Sequence, residues 1–118
     1  MNELLQIFAG AWRAGDCEAI IQLMAPDVIW VNSYGEFLHG SEQAAEHLRS
    51  TLCLPFDPDI TPSEAEHLHA VANTHMGDNV VSVQLFAVGP VRQRTVSMVC
   101  EKASDRWLIR HCMIGSCL

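Results

Sequence analysis

Positive charge is what this sequence has least of: seven Lys and Arg stand against fourteen Asp and Glu, giving a formal net charge of −7. Nucleic-acid binding is driven by clustered cations on one face. Here only Arg92 and Arg94 lie close together, so a nucleic-acid partner is excluded and the acidity reads as a solvated surface. No apolar run approaches the ~20 residues that span a bilayer, which excludes a membrane helix. The opening residues MNELLQIF lack the basic stretch and small-residue cleavage site of a leader, and a cytoplasmic protein is expected. Five cysteines (Cys17, Cys53, Cys100, Cys112, Cys117) contain no CxxC pair. In a reducing compartment they are expected to be free, buried thiols. There are no internal repeats and no low-complexity runs.

What remains is a chain of 118 residues, 49% apolar and 18% charged, enough for one domain over 1–118 with a real core. Leu4, Leu5, Phe8, Ala11 and Trp12 form one helical stripe. Gly15 suits the C-cap of that helix, and Asp16 the N-cap of a second one that ends at Pro26 and buries Ile20, Ile21, Leu23 and Met24. Asp27 to Ser33 alternates as a strand, with Val28, Trp30 and Asn32 on one face. Tyr34-Gly35-Glu36 turns the chain, Phe37–His39 returns, and Gly40-Ser41 opens a third helix with Ser41 as N-cap. On that helix Ala44, Ala45, Leu48 and Leu52 share an arc, Glu42, Glu46 and Arg49 face away, and His47 sits on the shoulder.

Leu54 to Pro62 holds three prolines and is expected to be a loop. Strands are then expected over 64–75, 80–88, 91–102 and 106–117, joined at Gly77-Asp78-Asn79, Gly89-Pro90 and Ala103–Asp105. Hairpin after hairpin predicts a mainly antiparallel sheet. In the 80–88 strand both faces are apolar, and three helices can cover only one of them. The other face therefore predicts a homodimer through the outer side of the sheet.

The order helix–Gly15-Asp16–helix, then Met24-Ala25-Pro26-Asp27, Gly35, Gly40, a helix, four strands and the ending Arg106-Trp107-Leu108-Ile109, resembles the nuclear transport factor 2-like superfamily. That is the cone-shaped α+β fold of ketosteroid isomerases, SnoaL-like polyketide cyclases and many small bacterial proteins. The resemblance implies three N-terminal helices packed on a curved sheet around a pocket. It constrains function less, because the matching residues are caps, turns and core. In ketosteroid isomerases a general base sits on the first strand, where this chain has Asn32. Their oxyanion-binding tyrosine lies on the first helix, where this chain has Phe8, and their protonated aspartic acid falls near Met98. Asn32 cannot move a proton and Phe8 cannot donate one, so steroid-type isomerisation is disfavoured.

The residues themselves predict a mainly apolar pocket between helices and sheet, walled by Phe8, Trp12, Trp30, Val96, Met98, Cys100, Trp107 and Ile109. Asn32 and Tyr34 are its polar points: the amide and the phenol either meet a ligand or serve the local backbone. His47 and His111 are the candidate acid–base groups, because imidazole titrates near neutral pH. His111 alternates with Trp107, Ile109 and Met113, which places it toward the pocket. His67 and His69 share a strand face but lack a third ligand, so neither a metal nor another cofactor is expected. Cys100 has no cation beside it to activate its thiol. Three functions are compatible with this pattern. The first is binding of a small apolar or aromatic molecule, the second a cyclase-, isomerase- or hydrolase-type enzyme, and the third a non-catalytic interaction domain.

Overall fold

The computed structural model describes residues 2–32, 34–51, 67–88 and 93–117, with backbone alone at 2, 51, 67–72, 87–88, 93–94 and 116–117. The expected loop over 54–62, the Gly89-Pro90 turn, Cys53 and Leu52 lie outside the described residues. Helix α1 (Asn2–Ala14) buries Leu4, Phe8, Ala11 and Trp12 and leaves Gln6 and Arg13 to solvent, as its stripe requires. The chain leaves it through Gly15 at φ +68, a conformation that favours glycine. Asp16 Oδ1 then accepts from Ala19 N at 3.3 Å and caps α2 (Cys17–Ile21).

Here the structure departs from the expected boundary. α2 ends at Ile21, and strand β1 (Met24–Val31) begins before Pro26 instead of after it. The register of β1 shifts between Met24 and Ile29, so Pro26 sits in an irregular stretch that asks for no ladder N–H. Leu23 O accepts from Ile109 N at 2.7 Å, which pins this corner to the sheet. Cys17 also differs from expectation: it is disulfide-bonded, to a partner outside the described side chains, while Cys100 and Cys112 are free and buried.

Strand β2 (Phe37–His39) returns along β1 and leads into α3 (Gly40–Thr51). Gly40 has φ +86, and the side-chain bond at the helix start is donated by His39 N to Gln43 Oε1 at 3.0 Å, not made by Ser41. Ala44, Ala45 and Leu48 face inward. The remaining strands are β3 (His67–His75), β4 (Val80–Val88), β5 (Gln93–Ala103) and β6 (Arg106–Cys117). They form one six-stranded sheet in the order β2-β1-β6-β5-β4-β3. Every neighbouring pair is antiparallel except β1 with β6, which run parallel. α+β is thus the fold class, with the core between three helices and one face of a mixed, curved sheet.

One irregularity in β6 decides which side chains face that core. Val99 pairs with His111, and the next residue, Cys100, pairs with Ile109. Arg110 is left without an opposite residue, the arrangement of a β-bulge. Ile109 and Cys112 both point inward and are fully buried. His111 and Met113 turn to the outer face. The unbroken alternation from Trp107 to Met113 read from the sequence therefore breaks at Arg110.

Candidate functional site

The interior is laid out in rows across the sheet. Trp30, Cys112, Met98 and Val83 are paired in register on four adjacent strands, and all four are fully buried. Ile109, Cys100 and Val81 form the next row. From the helix side Phe8 and Trp12 enter the same core, their ring centroids 5.8 Å apart and tilted by 32°. Trp107 packs half-buried against its end. Phe8, Trp12, Trp30, Met98, Cys100, Trp107 and Ile109 thus belong to one apolar cluster.

Within that cluster one polar atom stands out. The Nε1–H of Trp30 is buried and has no hydrogen-bond acceptor among the described residues. Leaving a buried donor unmet costs about 1–3 kcal/mol. The two free thiols are inert by contrast. Burial pushes the Cys100 thiol up to about 12, and burial together with the neighbouring Cys100 pushes Cys112 well above its ordinary value, so both stay protonated.

The four predicted polar points are dispersed. Asn32 is buried, and its amide is committed to the turn after β1: Oδ1 accepts from Tyr34 N and Glu36 N, each at 3.0 Å, and Nδ2 donates to Glu36 Oε1 at 3.1 Å. Tyr34 is 83% exposed at the tip of that turn. His47 is half-buried on α3. His111, also half-buried, lies on the outer face in register with Ile29 and Val99. The helices lie on the other side of the sheet, so it does not face His47 across a pocket. The side chains of His67 and His69 lie outside the described ones.

A concavity outside that cluster's centre went unread in the sequence. It is a groove of about 730 Å³ between α2, the start of β1 and α3. Ile21, Met24, Pro26 and Ala45 give its apolar lining, and Glu42, Glu46 and Arg49 its charged rim. Gly40 opens α3 beside this groove with φ +86, a backbone conformation that favours glycine. Periodicity alone assigned Glu42, Glu46 and Arg49 to solvent. No local signal told that α2 and Pro26 stand opposite them.

The family model for the SnoaL-like domain matches residues 4–108. The chain belongs to the SnoaL-like domain family. No curated protein matches this SnoaL-like chain. Among solved structures it is similar to a cystatin-like fold protein from Burkholderia xenovorans, with TM-score 0.75 and 17% identity over 98% of this chain and 87% of that one. It is also similar to a nuclear transport factor 2-like protein of unknown function from Pseudomonas putida, with TM-score 0.72 and 12% identity over 97% and 82%. A de novo designed protein with a curved β-sheet matches at TM-score 0.67 and 13% identity over 93% and 90%. At these identities the likeness is one of fold. That a designed sheet shares it underlines that function in a SnoaL-like domain resides in the side chains of its site.

Proposed function

We propose that this SnoaL-like domain binds a small, largely apolar or aromatic molecule between its helices and sheet, held at one polar point by Trp30. The observation that carries the reading is the Trp30 Nε1–H, buried among apolar side chains without an acceptor. A carbonyl or hydroxyl oxygen on a ligand meets that need, while the aromatic and aliphatic neighbours supply the apolar contact. The family supports a pocket-containing small-molecule-binding or isomerase-type protein. Steroid-type isomerisation remains disfavoured, since Phe8 offers no donor and the Asn32 amide is occupied by its turn.

A thermal-shift screen against small aromatic, terpenoid and polyketide-like compounds tests the reading. A ligand at a hundredfold excess over its Kd adds about 2.7 kcal/mol to stability. Trp30→Phe is expected to weaken an oxygen-bearing hit roughly fivefold, the equivalent of about one hydrogen bond of 1 kcal/mol, and to leave its deoxy analogue unchanged. Equal weakening of both compounds, or no hit at all, overturns the assignment.

The partner we propose is a second copy, docked through the outer sheet face. Phe37 is 62% and Met113 45% exposed there, on either side of Val31 in one row, and a two-fold copy covers such a patch economically. Light scattering at micromolar concentration should give twice 13.1 kDa, and Met113→Glu should return the monomer. A monomeric wild type removes the proposal. We place the protein in the cytoplasm, although the Cys17 disulfide is unusual for a reducing compartment. Cell fractionation that finds the chain outside the cytoplasm overturns that placement.

A further inference from the structure

The start of α2 carries two ties of different kinds. On the surface, Arg49 Nε donates to Glu18 Oε1 at 2.6 Å and Nη2 to Glu18 Oε2 at 3.1 Å, a two-pronged clamp from α3. Both partners are exposed, and such a pair adds little to stability. One residue away Cys17, buried in the core, is disulfide-bonded. In the reducing compartment where we place the chain, such a bond is characteristically transient or redox-sensing.

Four other cysteines could be the partner, and the fold removes three of them. Cys100 and Cys112 are free. Cys117 is out of reach. Ile109 N donates to Leu23 O, which fixes Ile109 of β6 beside the end of α2. From Ile109, Cys117 lies about 26 Å further along the strand. Cys17 lies only about 9 Å from Leu23, because the chain stays helical through the bonds of Gln22 N to Glu18 O and Leu23 N to Ile20 O. A disulfide spans at most about 7 Å between Cα atoms. Cys53 is left. It lies outside the described residues, but in the sequence it follows Arg49 by four residues, and Arg49 is the side chain that already reaches Glu18.

We propose that Cys17 and Cys53 form a reversible redox tie between α2 and the chain after α3, open when the surrounding thiol pool is reduced and closed when it is oxidised. The oxidant is a small-molecule disulfide of the glutathione type. Because Cys17 is buried, the first exchange falls to Cys53. Its thiolate attacks one sulfur of the small disulfide, forming a mixed disulfide and releasing one thiolate. The Cys17 thiolate then attacks the Cys53 sulfur and releases the second. Two cysteine thiols are thereby oxidised to one disulfide, the small disulfide is reduced to two thiols, and the two cysteine protons pass to the released thiolates. The closed bond encircles all of α2, β1, β2 and α3, so it restricts the unfolded chain strongly and fixes the helix layer over the sheet. It needs no ligand in the interior.

Peptide mapping of the oxidised whole chain by mass spectrometry should find Cys17 joined to Cys53. In glutathione buffer at a cytosolic poise the native protein should be open. Oxidised buffer should close the tie and raise the melting temperature by about 10 °C, a rise lost in C17A and C53S and kept in C117S. C17A, which cannot resolve the mixed disulfide, should accumulate glutathione on Cys53, whereas native C53S should take up none on Cys17. If C17A does not fold, C53S alone decides the loss of the rise. A Cys17–Cys117 bond, a bond that stays closed in the native protein at a cytosolic poise, or a melting temperature that does not respond to oxidation overturns the proposal.

Discussion

Trp30 and Asn32 lie two residues apart and treat their polar atoms in opposite ways. The indole N–H of Trp30 has no acceptor among the described residues, whereas Asn32 closes the turn after β1 with both ends of its amide. Asn32→Ala leaves two backbone N–H groups without their acceptor. It is expected to cost about 2 kcal/mol at roughly 1 kcal/mol per lost bond, read from urea unfolding. Asn32→Asp keeps both acceptors and should cost well under half of that, with the carboxylate placed beside Glu36 as its main penalty. If Asp proves as damaging as Ala, the turn does not depend on the Oδ1 acceptor. The sequence offered Asn32 as either a ligand amide or a backbone partner, and alternation could not choose. The choice lies in the backbone of the following turn, which brings Tyr34 N and Glu36 N around one oxygen.

Among the elements, α1 and β4 were legible because each carries a full apolar stripe or clean alternation, whereas the alanines and histidines of β3 suit a helix as well. The Gly15-Asp16 junction was legible too, because a left-handed residue followed by a side-chain acceptor is a local device. β6 shows where local reading stops. Trp107, Ile109, His111 and Met113 alternate without a flaw, yet the bulge at Arg110 turns the second pair away from the helices. A bulge is dictated by the partner strand and leaves no gap in a period of two. For the same reason β1 could start ahead of Pro26: what accommodates the proline is its irregular pairing with β6, some eighty residues on. Arg110 itself is paired with Asp27 at 2.9 Å on the surface. Exposed pairs of this kind contribute about 0–1 kcal/mol. Arg110→Ala should therefore change the unfolding free energy by less than about 1 kcal/mol and leave the amide chemical shifts of Val99 and His111 close to wild type. A collapse of that register would mean the side chain, not the strand pairing, sustains the bulge.

For the molecule as a whole, two kinds of group set the pH range. Hydrogen bonding to Arg49 holds the exposed Glu18 carboxyl below its ordinary 4.5, so its small contribution is present above that value and fades as the solution is made more acid. Cys100 and Cys112 act at the other end. Their thiols are held protonated by burial, with Cys100 raised from 9.0 to about 12. The unfolded chain loses those protons first, so stability is full below pH 9 and declines above it toward 12. The urea midpoint should fall over that interval, and less steeply in Cys100→Ala. Iodoacetamide at pH 8 should leave both thiols unmodified until denaturant is added. Native labelling of either would contradict their burial.

The parallel seam between β1 and β6 has a consequence for how the domain is made. β6 sits between β1 and β5 in the sheet, so β1 and β2 have only each other until the final strand has been synthesised. During translation the chain therefore exists as a short ribbon with its helices and a separate meander, neither with a complete interior. Loss of β6 would not trim the sheet by one strand; it would cut it in two.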